Sequence, residues 1–210
     1  NIYITDDGTV VAYTGDDERF DSMYKFISSK KMQQGTDPAA MAHNMTLLDE
    51  GTLYVAKLSS DSPASEIDGS GKLPAKGSFA GTGTWIPLLR SGPGGQGESL
   101  VDGITAQEAA VFTRMAADKA GATKMDRPED IEINPVNGKV YAVMTNNTRR
   151  GTGTNPGVDA ANPRADNKRW RAILPWVIVR LAHYRGLDGK YRLFRYGHWI
   201  PAQWREFHEL

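Results

Sequence analysis

MDRPEDIEINPVNGKVYAVMTNNTRR, residues 125–150, decides how the rest of the chain is read. Ile131 and Ile133 precede the turn Pro135-Val136-Asn137-Gly138, and Val140, Ala142 and Met144 follow it. Apolar residues two apart mark a half-buried strand, and an Asn-Gly pair supplies the turn that folds one strand back on the other. The stretch is therefore a β-hairpin. Asp126, Arg127, Glu129 and Asp130 enter it, and Asn146, Asn147, Arg149 and Arg150 leave it. Because a hairpin returns on itself, carboxylates, amides and guanidinium groups converge at one rim. Carboxylate and amide oxygens are what hard cations such as calcium take as ligands, and arginine grips phosphate with a planar fork. A solvated hairpin end with ordinary surface charge has the same composition, so both readings stand at this point.

Composition narrows the rest. The 210 residues suffice for one or two domains with a sizeable core. Lysine plus arginine and aspartate plus glutamate number 25 each, so no basic excess points to nucleic acid. The chain has no cysteine, which excludes a disulfide framework and a thiolate zinc site. No run of eighteen apolar residues predicts a membrane span. The 22 glycines and 11 prolines favour many short strands and turns. The chain opens without methionine or a leader pattern, on residues that already alternate, and is expected to be a fragment.

In chain order, Asn1–Ile4 and Val10–Tyr13 read as strands around the turn Asp6-Asp7-Gly8, and a third strand begins at Met23. Between them lie Asp16, Asp17 and Glu18, adjacent acids that serve either as divalent-ion ligands or as a solvated turn. Residues 28–48 are polar, with a short helix expected from Pro38 to His43. Gly51–Leu58 and Gly83–Leu88 are strands separated by a polar loop. In that loop, Gly69-Ser70-Gly71-Lys72 lacks the spacing and the hydroxyl of a phosphate-binding glycine loop. One clear helix follows. Thr105 and Glu108 make a capping box, Ile104 staples against Ala109, and Ala109, Phe112, Met115 and Ala116 are expected to face the core until Gly121 ends it. Residues 151–168 read as a polar loop over the site, with Asp159, Asn162 and Arg164 as candidate orienting groups. The fold class is mainly β, with antiparallel hairpins, one inserted α-helix and long polar loops, a pattern that fits a partial β-propeller.

Several ordered blocks carry a resemblance. Val11-Ala12-Tyr13-Thr14-Gly15-Asp16-Asp17-Glu18-Arg19-Phe20 with Tyr24-Lys25-Phe26, then Asp49–Ala56, then Met125–Glu132, Thr145-Asn146-Asn147 and Val158–Lys168 resemble the PhoX family of secreted alkaline phosphatases. The resemblance implies a propeller with a metal centre at the mouth of its channel, a mixed calcium and iron(III) cofactor, phosphomonoester substrates, and a periplasmic or secreted location. By matching positions it implies that Arg127 holds phosphate, that Glu129 ligates metal, and that Asp16 and Asp17 contribute to a calcium site. The expected protein is a monomer, with no nucleic-acid partner. Residues 1–168 form the family-like part. Residues 169–210 hold four of the five tryptophans and more arginine than acid, and are expected to be a divergent, poorly packed tail, such as a shifted reading frame near the end of a fragmentary gene would leave.

The departures bear on activity. The family's iron-ligating cysteine has no counterpart here, and its acidic ligands from earlier blades would precede Asn1. The expectation is an alkaline phosphatase whose fragment is inactive alone. The competing class is a non-catalytic calcium-binding propeller serving as a scaffold. A nucleic-acid binder using the basic tail ranks third, since the body of the chain is not basic.

Overall fold

A computed structural model describes residues 1–60, 63, 65, 79–133, 140–144, 147, 149–155, 177–181 and 190–198. They divide into two compact units that interleave along the chain. Unit 1 comprises Asn1–Thr14, Ser22–Ala56 and Trp85–Ala122; unit 2 comprises Gly15–Asp21, Lys57–Thr84 and Thr123–Leu210.

Unit 1 holds β1 (Ile2–Ile4), most of β2 (Thr9–Gly15), β3 (Met23–Lys31), the start of β4 (Gly51–Ser60), the end of β5 (Phe79–Ser91) and β6 (Gly97–Ser99), in the order β1-β2-β3-β4-β5 with β6 on β5. The β1–β2 hairpin places Ile2 opposite Ala12 and turns at Gly8, whose φ of +83° only glycine adopts without strain. Asp7 fixes that turn: it accepts from Thr9 N at 3.2 Å and pairs with Lys31 at 2.9 Å. β3 and β4 are antiparallel, Tyr24 facing Val55. The helix α1 (Pro38–Asn44) begins as the sequence predicts, Asp37 accepting from Ala39 N and Ala40 N with proline at the first helical position.

The capping box at Thr105 is present. Glu108 N donates to Thr105 Oγ1 at 3.2 Å, and Thr105 N donates to Glu108 Oε2 at 2.8 Å. The single helix expected beyond it is two: α2 (Ala106–Val111) and α3 (Thr113–Lys119), divided at Phe112 with φ −111° and ψ 50°. At the break the Thr113 hydroxyl donates to the carbonyls of Ala109 and Ala110, competing for acceptors that a continuous helix gives to backbone N–H groups. The change of direction also changes the buried face. Ala109, Ala116 and Ala117 are buried, whereas Phe112 and Met115, expected in the core, are 55% and 47% exposed. The three alanines pack in one cluster with Tyr24, Val55, Leu88, Val101 and Ile104.

Unit 2 runs β5-β10-β9-β8-β7, with β7 (Pro128–Ile133), β8 (Val140–Met144), β9 (Val177–Leu181) and β10 (Lys190–His198) all antiparallel to their neighbours. The predicted hairpin is β7–β8, with Ile133 opposite Val140 and Ile131 opposite Ala142. Its alternation matches burial: Ile131, Val140, Ala142 and Met144 are buried, and Ile133 is half-buried. The Asn137-Gly138 turn, the loop residues Asp159, Asn162 and Arg164, and Asn146 lie outside the described residues. Two segments of the basic tail are strands. β9 pairs with β8, Val140 opposite Leu181, and β10 pairs with both β9 and β5. Among the described residues, no helix is long and apolar enough to cross a membrane.

Thr105→Ala removes the cap and is expected to lower unfolding stability by ~1 kcal/mol in denaturant titration. Hydrogen bonds from the Thr105 backbone and hydroxyl hold the Glu108 carboxyl below its ordinary pKa of 4.5. The stabilisation is therefore present above that value and lost as pH falls through the depressed folded value, so the difference between variant and wild type narrows in acid.

Candidate functional site

The site is built where two distant segments of unit 2 meet. Thr123 Oγ1 accepts from Leu58 N at 2.8 Å, and Met125 is fully buried. Met125 N then donates to the Asp21 carbonyl at 2.7 Å, Phe20 N donates to the Met125 carbonyl at 3.0 Å, and Arg19 and Asp126 form an antiparallel bridge. These backbone bonds lay residues 19–21 against 125–126. A few residues before that contact, Gly15 closes on Pro128. A Cβ on Gly15 would meet the Pro128 carbonyl oxygen and lie 2.8 Å from the Pro128 Cβ, so only hydrogen fits. The acidic turn at Asp16 and Asp17 is thereby delivered to the mouth of the hairpin.

Arg127 and Asp17 meet there. One Arg127 Nη lies 3.1 Å from each Asp17 carboxylate oxygen, and the two side chains are 31% and 41% exposed. Partial exposure makes this a screened contact rather than a buried anchor. Arg127 adopts φ +55° and Phe20 φ +65°, the only non-glycine residues among those described to do so. Such a conformation costs on the order of 1 kcal/mol or more and persists where the surroundings impose it.

The surroundings are a buried polar cluster. Asp126 is 1% exposed, and its Oδ1 accepts from Arg150 Nε at 2.6 Å and from Asn147 Nδ2 at 2.8 Å. Arg150 Nη2 donates to the Lys124 carbonyl at 2.8 Å, and the guanidinium lies 5.1 Å from the centre of the Phe20 ring. Asn147, fully buried, accepts from Arg149 N at 3.1 Å. Asp126 Oδ2 is buried without a hydrogen-bond partner among the described residues.

Of the residues singled out in the sequence, Arg127 and Asp17 are thus in contact. Asp16 is exposed, its carbonyl accepting from Glu18 N at 2.7 Å. Glu129 is exposed at a β-bulge: Pro128 faces Met144 while Asp130 faces Val143, leaving Glu129 as the extra residue. A bulge of this kind re-aims a side chain and recurs beside active sites. Asp126, Asn147 and Arg150 were legible as polar ends of the hairpin but carried no assigned role. Their signal is position, one acid just before the first strand and its partners just after the second. Among the described residues, no three of histidine, aspartate and glutamate converge as a metal-binding group.

The family model described as alkaline phosphatase PhoX matches residues 1–177, and the chain belongs to that family. The match passes Lys168, where the resembling sequence blocks end, and takes in the first residue of β9. Among solved structures, the chain is similar to Pseudomonas fluorescens PhoX in complex with vanadate, a transition state analogue. The two are 34% identical with a TM-score of 0.67, over 93% of this chain and 30% of that one. The chain therefore spans less than a third of that protein's length. No curated protein gave a match.

Gly15→Ala forces the strand end away from Pro128 and is expected to destabilise by ~1–3 kcal/mol, as overpacking does. Gly92→Ala, where the nearest atom to the new Cβ is 3.9 Å away, is the control and should leave the thermal midpoint near wild type.

Proposed function

We propose that this chain is part of an alkaline phosphatase that hydrolyses small-molecule phosphate monoesters, with Arg127 gripping the phosphate group. The observation that supports it most is the pairing of Arg127 with a carboxylate 110 residues away at the mouth of the hairpin. A guanidinium there already meets an anion through one Nη, and its planar group of donors can take phosphate as it takes carboxylate. The vanadate complex of the Pseudomonas fluorescens relative supports the same chemistry.

Calcium and iron(III) are the proposed cofactors. The oxygen donors present suit calcium in kind: Glu129, re-aimed by the bulge, with Asp16 and Asp17 from the acidic turn. Among the described residues no three histidine, aspartate or glutamate side chains converge, so the rest of a calcium shell would come from amide, backbone and water oxygens. For iron, the chain supplies no thiolate. Metal ions in such a centre neutralise phosphate oxygens and activate a bound oxygen nucleophile. This chain's own contribution is narrower. Arg127 orients the ester and offsets its charge, and Asp17 holds the guanidinium until phosphate arrives. The surrounding β-sheet is proposed as a piece of a β-propeller, and the protein as an exported monomer.

The second reading, a calcium-binding scaffold without catalysis, draws on the engagement of Arg127 by Asp17. One experiment separates the two. In the intact protein, Arg127→Ala is expected to lower kcat/KM for p-nitrophenyl phosphate on the order of a hundredfold, the scale of losing one preorganised donor. Calcium should raise the thermal midpoint of wild type and variant alike. Calcium stabilisation with no hydrolysis above background in the wild type would establish the scaffold instead.

A further inference from the structure

Asp126 precedes the proposed phosphate-binding arginine, yet it is 1% exposed and so is set apart from bulk solvent. Its side chain is committed inward, to Arg150 Nε at 2.6 Å and Asn147 Nδ2 at 2.8 Å. Its backbone is committed as well, bridged to Arg19. The next residue, Arg127, must therefore leave a fixed point, and it does so at φ +55°. Arg150 ties the other side of the turn through the Lys124 carbonyl at 2.8 Å and covers Phe20, itself at φ +65°. One guanidinium thus holds the residue before Arg127 and the ring of Phe20, and the Arg150 side chain is only 4% exposed. Arginine suits this task because its fork serves a carboxylate and a carbonyl at once while its flat face stacks on a ring.

We infer that Asp126, Asn147 and Arg150 form a positioning unit that fixes the backbone beneath Arg127 and so sets its grip on phosphate. None of the three is a catalytic residue; each acts through Arg127. The inference rests on the reading that Arg127 binds phosphate, and it adds the residues that make the binding strong.

The test is calorimetric titration of the intact protein with inorganic phosphate, alongside thermal midpoints with and without calcium. Arg150→Lys keeps the charge and gives up the fork. It is expected to weaken phosphate about tenfold while calcium stabilisation persists, the scale of a small displacement of a binding group. Arg150→Gln leaves a buried carboxylate without its cation and can fail to fold. The double variant Asp126→Asn/Arg150→Gln replaces the ion pair by an amide pair, and it should fold with phosphate affinity still reduced. In an Arg127→Ala background, Arg150→Lys should cause no further loss, because the unit works only through that side chain. Wild-type phosphate affinity in the Arg150→Lys or the folded double variant would overturn the inference alone. If Arg127→Ala itself leaves phosphate affinity unchanged, the reading of Arg127 falls first and the inference with it.

Discussion

The buried pair of Asp126 and Arg150 is the constraint that holds the chain just before Arg127. An ion pair removed from water gains little net stability, because desolvating both charges offsets their attraction. Removing one partner is different, costing about 3–5 kcal/mol by stranding the other charge. The pair therefore acts more as a geometric specification than as a source of stability. It joins Asp126, two residues before β7, to the turn after β8, across the open end of the hairpin. Asn147, fully buried, donates to Asp126 Oδ1 and accepts from Arg149 N.

Much of the scaffold was legible because it follows short-range rules. The β7–β8 hairpin follows from period-two alternation, α1 from the stretch beginning at Pro38, and the start of α2 from Thr105 and Glu108. What escaped the pattern was decided by competition within a few residues. The helix after Thr105 was read as one because Ala109, Phe112, Met115 and Ala116 keep helical spacing. The Thr113 hydroxyl and the non-helical Phe112 break that spacing, and Phe112 turns outward. No periodicity argument can register a hydroxyl taking a carbonyl away from the helix.

The site divided in the same way. Arg127 and Asp17 were singled out by residue type and by resemblance, and they are in contact. That contact depends on the bridge between Arg19 and Asp126 and on the clearance at Gly15, both long-range features with no local signature. Asp126, Asn147 and Arg150 went without a role because charged and amide side chains are expected to be exposed, and each of these is nearly or fully buried.

Pro128 connects the two irregularities of the site. It offers no N–H to a ladder, so a strand can begin at it but not run through it unbroken. A residue before proline is also restricted in its backbone, and Arg127, in that position, takes a left-handed φ instead of the extended one usually favoured. On the other side the ladder recovers its register only after skipping Glu129. A regular strand would send consecutive side chains to opposite faces, putting residues 127 and 129 on one face by simple alternation. Here one departs from the extended region and the other is bulged, so neither direction is set by the pleat. Both are set by what grips the flanks, with the polar cluster below Arg127 and the regular β7–β8 pairing beyond Asp130. A proline between Arg127 and Glu129 thus releases both side chains from the sheet's geometry, and the buried pair at Asp126 and Arg150 supplies rigidity that the ladder no longer gives.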